Sequence, residues 1–190
     1  MILNEVATVG IMISQVSPDS PEKEGKTLEA IESALELGCF DAIQTVHIQY
    51  SNERKKIKNL LNEEGKTLTY CITRMLNEKG CNLSSNELGV QQKNIEVLKR
   101  SLDEASEVGA EKIAVISGRR PVQENKRLEA LDTLGEQLSK ACEMAKGYEI
   151  KIVLEPLDYF AHKKNTLGTT EEAVNICKQL EEHGLELGLC

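Results

Sequence analysis

The stretch Lys151–Asp158, KIVLEPLD, holds the residue whose placement most invites chemistry. Ile152, Val153 and Leu154 predict a short buried strand, and an acid, Glu155, follows at once. Pro156 has no amide hydrogen to donate, so the ladder stops and Glu155 is held at the carboxyl end of that strand. Ligands sit at this end in parallel α/β folds. A carboxylate there can take or give a proton. The bland alternatives are a structural ion pair or a cap on a nearby turn.

Other chemistry-bearing residues fall near the ends of predicted strands. His47 shares a face of strand two with Thr45 and Gln49, close to its carboxyl end, where it would hydrogen-bond a hydroxyl or sit as a satisfied interior histidine. Asp158 and His162 follow Glu155 and would line the mouth or belong to a solvated loop. Arg119 and Arg120 follow strand four, and Lys163 and Lys164 follow strand five. Adjacent loops would bring these four together as a clamp for a phosphate or carboxylate. His183 lies in the last turn of a helix, where its interaction with the dipole is sufficient explanation.

The elements that must position these residues alternate regularly. Strands are predicted at Thr8–Ser14, Ala42–Gln49, Thr67–Thr73, Lys112–Ser117, Lys151–Glu155 and Leu185–Cys190. Between them run helices with apolar stripes: Leu28, Ile31, Leu35; Ile57, Leu60, Leu61; Ile95, Leu98, Leu102, Ala105; Leu131, Leu134, Leu138, Ala141, Ala145; and Ala173, Ile176, Cys177, Leu180. Ser51 is a predicted N-cap, and Thr169 with Glu172 predicts a capping box. Each helix stops at a glycine, at 38, 65, 109, 147 and 184. The pattern is five βα units and a sixth strand, with parallel crossovers.

Strand parity favours a barrel over a doubly wound sheet. Val9, Ile11 and Ile13, Val46 and Ile48, and Leu68, Tyr70 and Ile72 make one apolar face. The opposite positions, Gly10, Met12, Thr45, His47, Thr69 and Cys71, are small or polar. A doubly wound sheet, covered by helices on both faces, would be apolar on both, and strand one lacks a following G-x-G-x-x-G. The expected fold is therefore α/β, a TIM (β/α)8-type barrel in a single domain over residues 1–190. Such a barrel closes with eight strands in roughly 250 residues. The apolar strand ELGLC at the end therefore reads as a chain truncated within the barrel.

Composition bounds the partners. A formal charge of −8 argues against a nucleic-acid surface, and 3% aromatics with no Trp leave little for base stacking. Arg54-Lys55-Lys56, the one basic triplet, reads as a solvated helix face. Six cysteines without a C-x-x-C pair fit a reduced, cytoplasmic setting. No signal peptide pattern precedes strand one, and no apolar run approaches the 18 or so residues of a membrane span.

VGIMIS, ISGRRP, and KIVLEPLD followed by LGTTEEA resemble the xylose-isomerase-like barrel superfamily of sugar phosphate isomerases and epimerases. The resemblance covers the whole chain and is strongest over Lys112–Cys190. It implies one divalent cation, Mn²⁺ or Mg²⁺ first and Co²⁺ or Zn²⁺ next, held by a Glu after strand five, an Asp after strand six, a later His and a second Glu. Only the first, Glu155, has a counterpart here; the Asp would fall just beyond Cys190. The implied activity moves a proton beside a sugar carbonyl, with two carboxylates as base and acid and the metal polarising the oxygens. His47, Arg119, Asp158, His162 and Lys163 are the expected sugar contacts, with no membrane or nucleic-acid partner and room for a homo-oligomer. The alternatives are a non-catalytic sugar-binding barrel fragment and an abasic-site endonuclease of the same superfamily. The endonuclease would want more histidines than three and a basic groove.

Overall fold

The computed structural model describes residues 8–121 and 123–190. Its six strands are β1 (Gly10–Met12), β2 (Ala42–Val46), β3 (Thr67–Cys71), β4 (Lys112–Ile116), β5 (Lys151–Glu155) and β6 (Leu187–Leu189). They pair in parallel, in the order β1-β2-β3-β4-β5-β6. A doubly wound sheet reverses its strand order at a switch point; this one never does.

The helices are α1 (Ile13–Val16), α2 (Lys26–Glu36), α3 (Ser51–Glu63), α4 (Thr73–Glu78), α5 (Leu88–Val108), α6 (Arg127–Lys146) and α7 (Thr170–Glu182). One contiguous core joins them to the sheet: Ile43, Leu68, Tyr70, Ile113, Val115, Ile152 and Leu154 from the strands meet Ile31, Ile57, Leu98, Leu102, Leu134 and Ile176 from the helices. The opposite face carries a separate small cluster of Cys71, Ala114 and Val153, flanked by Met12 and Val46. All five come from strands. The helices therefore cover one face of the sheet only, as a barrel requires. Among the described residues no helix is long and apolar enough to cross a membrane.

Several boundaries differ from those expected. Strand one is shorter than Thr8–Ser14, because the chain turns helical at Ile13. Strand two stops at Val46 instead of Gln49, and strand three at Cys71 instead of Thr73, where α4 begins. Strand two also presents the opposite face. Thr45 is in register with Tyr70, and Val46 with Cys71. Thr45 accordingly lies on the helix side, 1% exposed, while Val46 joins the small cluster. Ile48 does reach the main core, but beyond the strand end, where two-residue alternation no longer applies.

Helix ends follow simple chemistry. Thr169 and Glu172 form the expected reciprocal capping box on α7. The glycines after α2, α3, α5 and α7 have positive φ, whereas Gly147 remains right-handed. Ser51 is not a cap: Tyr50 is the extended residue at the helix boundary, and the Ser51 hydroxyl donates to Glu107. Nor is Arg54 solvated. Its side chain is buried between α3 and α5, bonding Glu107 at 2.6 Å and the Ile48 carbonyl.

The N-terminus of α2 has a glycine at the cap position, with no side chain to satisfy its amides. Buried Glu53 of α3 fills the role from outside: its Oε1 accepts the Thr27 and Leu28 amides at 3.0 Å each. Two orphan donors and a buried acid thus depend on one contact. Glu53→Ala should lower unfolding stability by about 1–3 kcal/mol in chemical denaturation. Glu53→Gln, which keeps the accepting oxygen, should lose less.

Candidate functional site

Alternation along β5 places Lys151, Val153 and Glu155 on the helix-free face and Ile152 and Leu154 in the main core. Val153 accordingly joins the small cluster, and Leu154 is fully buried. Glu155 is the last residue of the strand, in register with Ile116, and is half-buried. It therefore stands on the concave face at the carboxyl edge of the sheet. No hydrogen bond or ion pair to its carboxylate forms among the described residues, so neither bland alternative applies to it there. Two thiols, Cys71 and Cys190, lie near enough to feel its charge. Burial, with the nearby Cys190 and Glu155 charges adding, pushes Cys71 up to about 12. Cys190 is pushed up by burial and then by Glu155. Both are protonated, poorly nucleophilic groups at neutral pH.

The loops after β4 and β5 are knitted together. Arg120 N–H donates to the Lys164 carbonyl at 2.9 Å, Thr166 N–H to Gly118 at 3.0 Å, and Arg119 and Asn165 form an antiparallel bridge. Ser117, fully buried, ties in both neighbours: its carbonyl accepts Ser84 Oγ at 2.7 Å and its hydroxyl accepts Leu167 N–H at 3.1 Å. Gly118 is needed at the crossing. Its φ is +87°, and a Cβ there would collide with the Asn82 side chain. Asn82 Nδ2 in turn donates to the Arg119 carbonyl at 3.1 Å.

This knot brings the four expected basic residues onto adjoining loops, but they do not share one role. Arg119, Lys163 and Lys164 are exposed. Arg120 is stacked on the Tyr159 ring, 4.7 Å from its centroid, and Arg127 of α6 lies over the same ring at 4.6 Å. The Tyr159 hydroxyl donates to Glu124 at 2.6 Å. Asp158 is turned inward on its own loop, where its carboxylate accepts the amides of Ala161, His162 and Lys163 at 2.7–3.1 Å. The Lys163 amide, and then those of His162, Lys164 and Ala161, hold its carboxyl below the usual range. That is a loop-shaping role. His162 is exposed on the same loop.

His47 lies just beyond β2, and its Nδ1 is 2.8 Å from Glu104 of α5. Its ring also borders a cavity of about 200 Å³ shared with Val46, Gln49, Arg74 and Met75. Sequence reasoning missed Glu104. The available signal was a charged residue on the buried stripe of α5, beside Leu102 and Ala105 and one turn after Arg100. Asn94 and Gln137, both fully buried, carry the same signal on α5 and α6.

A divalent cation needs several oxygen or nitrogen donors converging on one point. Among the described residues no group of three His, Cys, Asp or Glu side chains converges in this way. Glu155 supplies one carboxylate, beside thiols instead of further oxygens. The described residues do not by themselves fit the ion.

Comparison with known proteins agrees with this geometry. A family model described as xylose isomerase-like TIM barrel matches residues 31–190. No curated protein matches the sequence. Among solved structures, a D-tagatose 3-epimerase-like protein is 24% identical with a TM-score of 0.68, over 90% of this chain and 60% of that one. D-psicose 3-epimerase from Clostridium cellulolyticum H10, solved with D-tagatose, is 19% identical with a TM-score of 0.72, over 96% and 63%. An AP endonuclease, family 2, from Brucella melitensis is 16% identical with a TM-score of 0.72, over 96% and 67%. At these identities the likeness shows the fold, and the chain spans about 60% of the length of the first of these relatives. On the family match, together with six sequentially paired parallel strands and helices on one face, the chain belongs to the xylose isomerase-like TIM barrel family.

Proposed function

We propose that this chain forms the substrate wall of a sugar isomerase or epimerase, with Glu155 as the carboxylate that meets the sugar. The observation that carries the reading is the setting of Glu155: half-buried, on the helix-free face, at the strand ends, and without a partner among the described residues. A carboxylate so placed, with no partner among the described residues, is available to a ligand at the strand ends. Sugar epimerases among the structural neighbours support the substrate class.

In this reading the Glu155 carboxylate accepts the proton from the carbon beside a ketose carbonyl, and the electron pair moves onto the carbonyl oxygen. Return of a proton to the opposite face needs a second acid. None stands beside Glu155 among the described residues. A cation of the Mn²⁺ or Mg²⁺ type would stabilise the charge on that oxygen, with Glu155 as one of its ligands and the remaining donors outside the described set. The whole reaction is accordingly assigned to a complete barrel. Arg119, with Lys163 and Lys164 across the joined loops, is the group best placed to hold a phosphate on the substrate. Asp158 shapes that loop from behind. The lack of a converging metal group favours one second reading, a sugar-binding wall without chemistry of its own. An abasic-site endonuclease suits the −8 charge and three histidines poorly.

In a protein with the barrel completed, Glu155→Gln should lower kcat on a ketose by about 100-fold or more with KM little changed. Binding of the ketose without turnover in the unmutated protein would instead establish the second reading. Arg119→Ala should weaken binding of a phosphorylated ketose by roughly tenfold in calorimetry and leave its neutral counterpart unaffected. Equal losses for both would refute the phosphate role.

A further inference from the structure

Arg119 stands apart from the other arginines. Among the described residues Arg54, Arg74, Arg100 and Arg127 each pair with a carboxylate, and Arg120 is stacked on Tyr159. The exposed Arg119 side chain has neither kind of partner there.

Its backbone, by contrast, is pinned on both sides. Both lone pairs of the Arg119 carbonyl are taken, by Asn82 Nδ2 from the loop after β3 and by Thr166 Oγ1 from the loop after β5, each at 3.1 Å. The amide of the same peptide unit, Arg120 N–H, donates to the Lys164 carbonyl, and on the other side the Gly118 carbonyl accepts Thr166 N–H. Water would satisfy a surface carbonyl equally well. Two protein donors on one oxygen also fix its direction.

Asn82 is itself held from the interior. The side chain of fully buried Asn94 on α5 bonds both of its main-chain groups, accepting the Asn82 amide at 3.1 Å and donating to the Asn82 carbonyl at 2.9 Å. A longer contact of 3.4 Å runs from Asn94 Nδ2 to Gln137 of α6, also fully buried. The Asn82 side-chain oxygen accepts the Ser84 amide at 3.0 Å, which leaves Nδ2 for Arg119.

We propose that Asn82 is a positioning residue for Arg119: it fixes the main chain from which the exposed guanidinium extends, and so favours a phosphorylated ligand over its neutral counterpart. This rests on the reading of Arg119 as the phosphate contact. An arm whose backbone is already ordered loses less conformational freedom when it closes on an anion. A neutral sugar makes no such contact and gains nothing from the ordering. Thr166, donating to the same carbonyl from another loop, shares the role.

Titration calorimetry of this chain with D-fructose 6-phosphate and with D-fructose tests it. Asn82→Ala removes the donor without adding a charge, and leaves the main-chain groups that Asn94 bonds. It should weaken D-fructose 6-phosphate binding by roughly three- to tenfold and leave D-fructose unaffected. Thr166→Val, which keeps the shape and loses only the hydroxyl, should do the same. In an Arg119→Ala background neither change should weaken binding further, because both act through Arg119. Further loss in that background, or equal losses for the two sugars, would mark a merely structural role and overturn the proposal. So would unchanged binding in both variants. If Arg119→Ala alone leaves D-fructose 6-phosphate binding unchanged, the reading of Arg119 itself fails and takes the proposal with it.

Discussion

Parallel strands paired in sequential order can be joined only by connections that return the chain to the edge it started from. Every strand then finishes on one side of the sheet. That constraint brings Met12, Val46, Cys71, Ile116 and Glu155 to a common edge, although they are scattered over more than three quarters of the sequence. The site depends on it. The loops after β4 and β5 adjoin because those strands end side by side, and Ser117 and Gly118 can tie them only across adjacent strands.

The two faces of the sheet divide the labour. On the helix side, fully buried side chains such as Leu98, Leu134, Ile113 and Leu154 each contribute about 1.5–3 kcal/mol on leaving water. The concave side buries little: Cys71, Ala114 and Val153 form a small cluster of small side chains. Stability is therefore concentrated where no chemistry is proposed. The concave face can in turn tolerate a lone carboxylate. Polar satisfaction follows the same line, with Glu53, Arg54 and Glu104 all engaged in the helix layer or at its border.

What was legible in the sequence was whatever local chemistry determines. The apolar stripes of α5, α6 and α7, the Thr169–Glu172 box and the helix-ending glycines are decided within a few residues of one another. The KIVLEP pattern is of the same kind, because Pro156 ends a strand wherever it occurs. Features decided by tertiary partners were not legible. The face of β2 was misread because Val46 and Ile48 look like one apolar stripe, yet the strand ends between them. Ser51 reads as a cap, but Tyr50 takes the boundary and the Ser51 hydroxyl goes to Glu107 on α5. His47 was visible as a candidate, whereas the Glu104 and Tyr70 that it touches lie 57 and 23 residues away.

The central claim is that the carboxyl ends of the strands, gathered around Glu155, are where a sugar binds. Amide chemical-shift mapping of this chain with a phosphorylated ketose tests it most directly. The account predicts shifts at Glu155, Arg119, Arg120 and Asn165–Leu167, with the Glu155 response lost in Glu155→Gln. Shifts gathered at the opposite strand ends, around Lys66, Glu111 and Ile150, would contradict it.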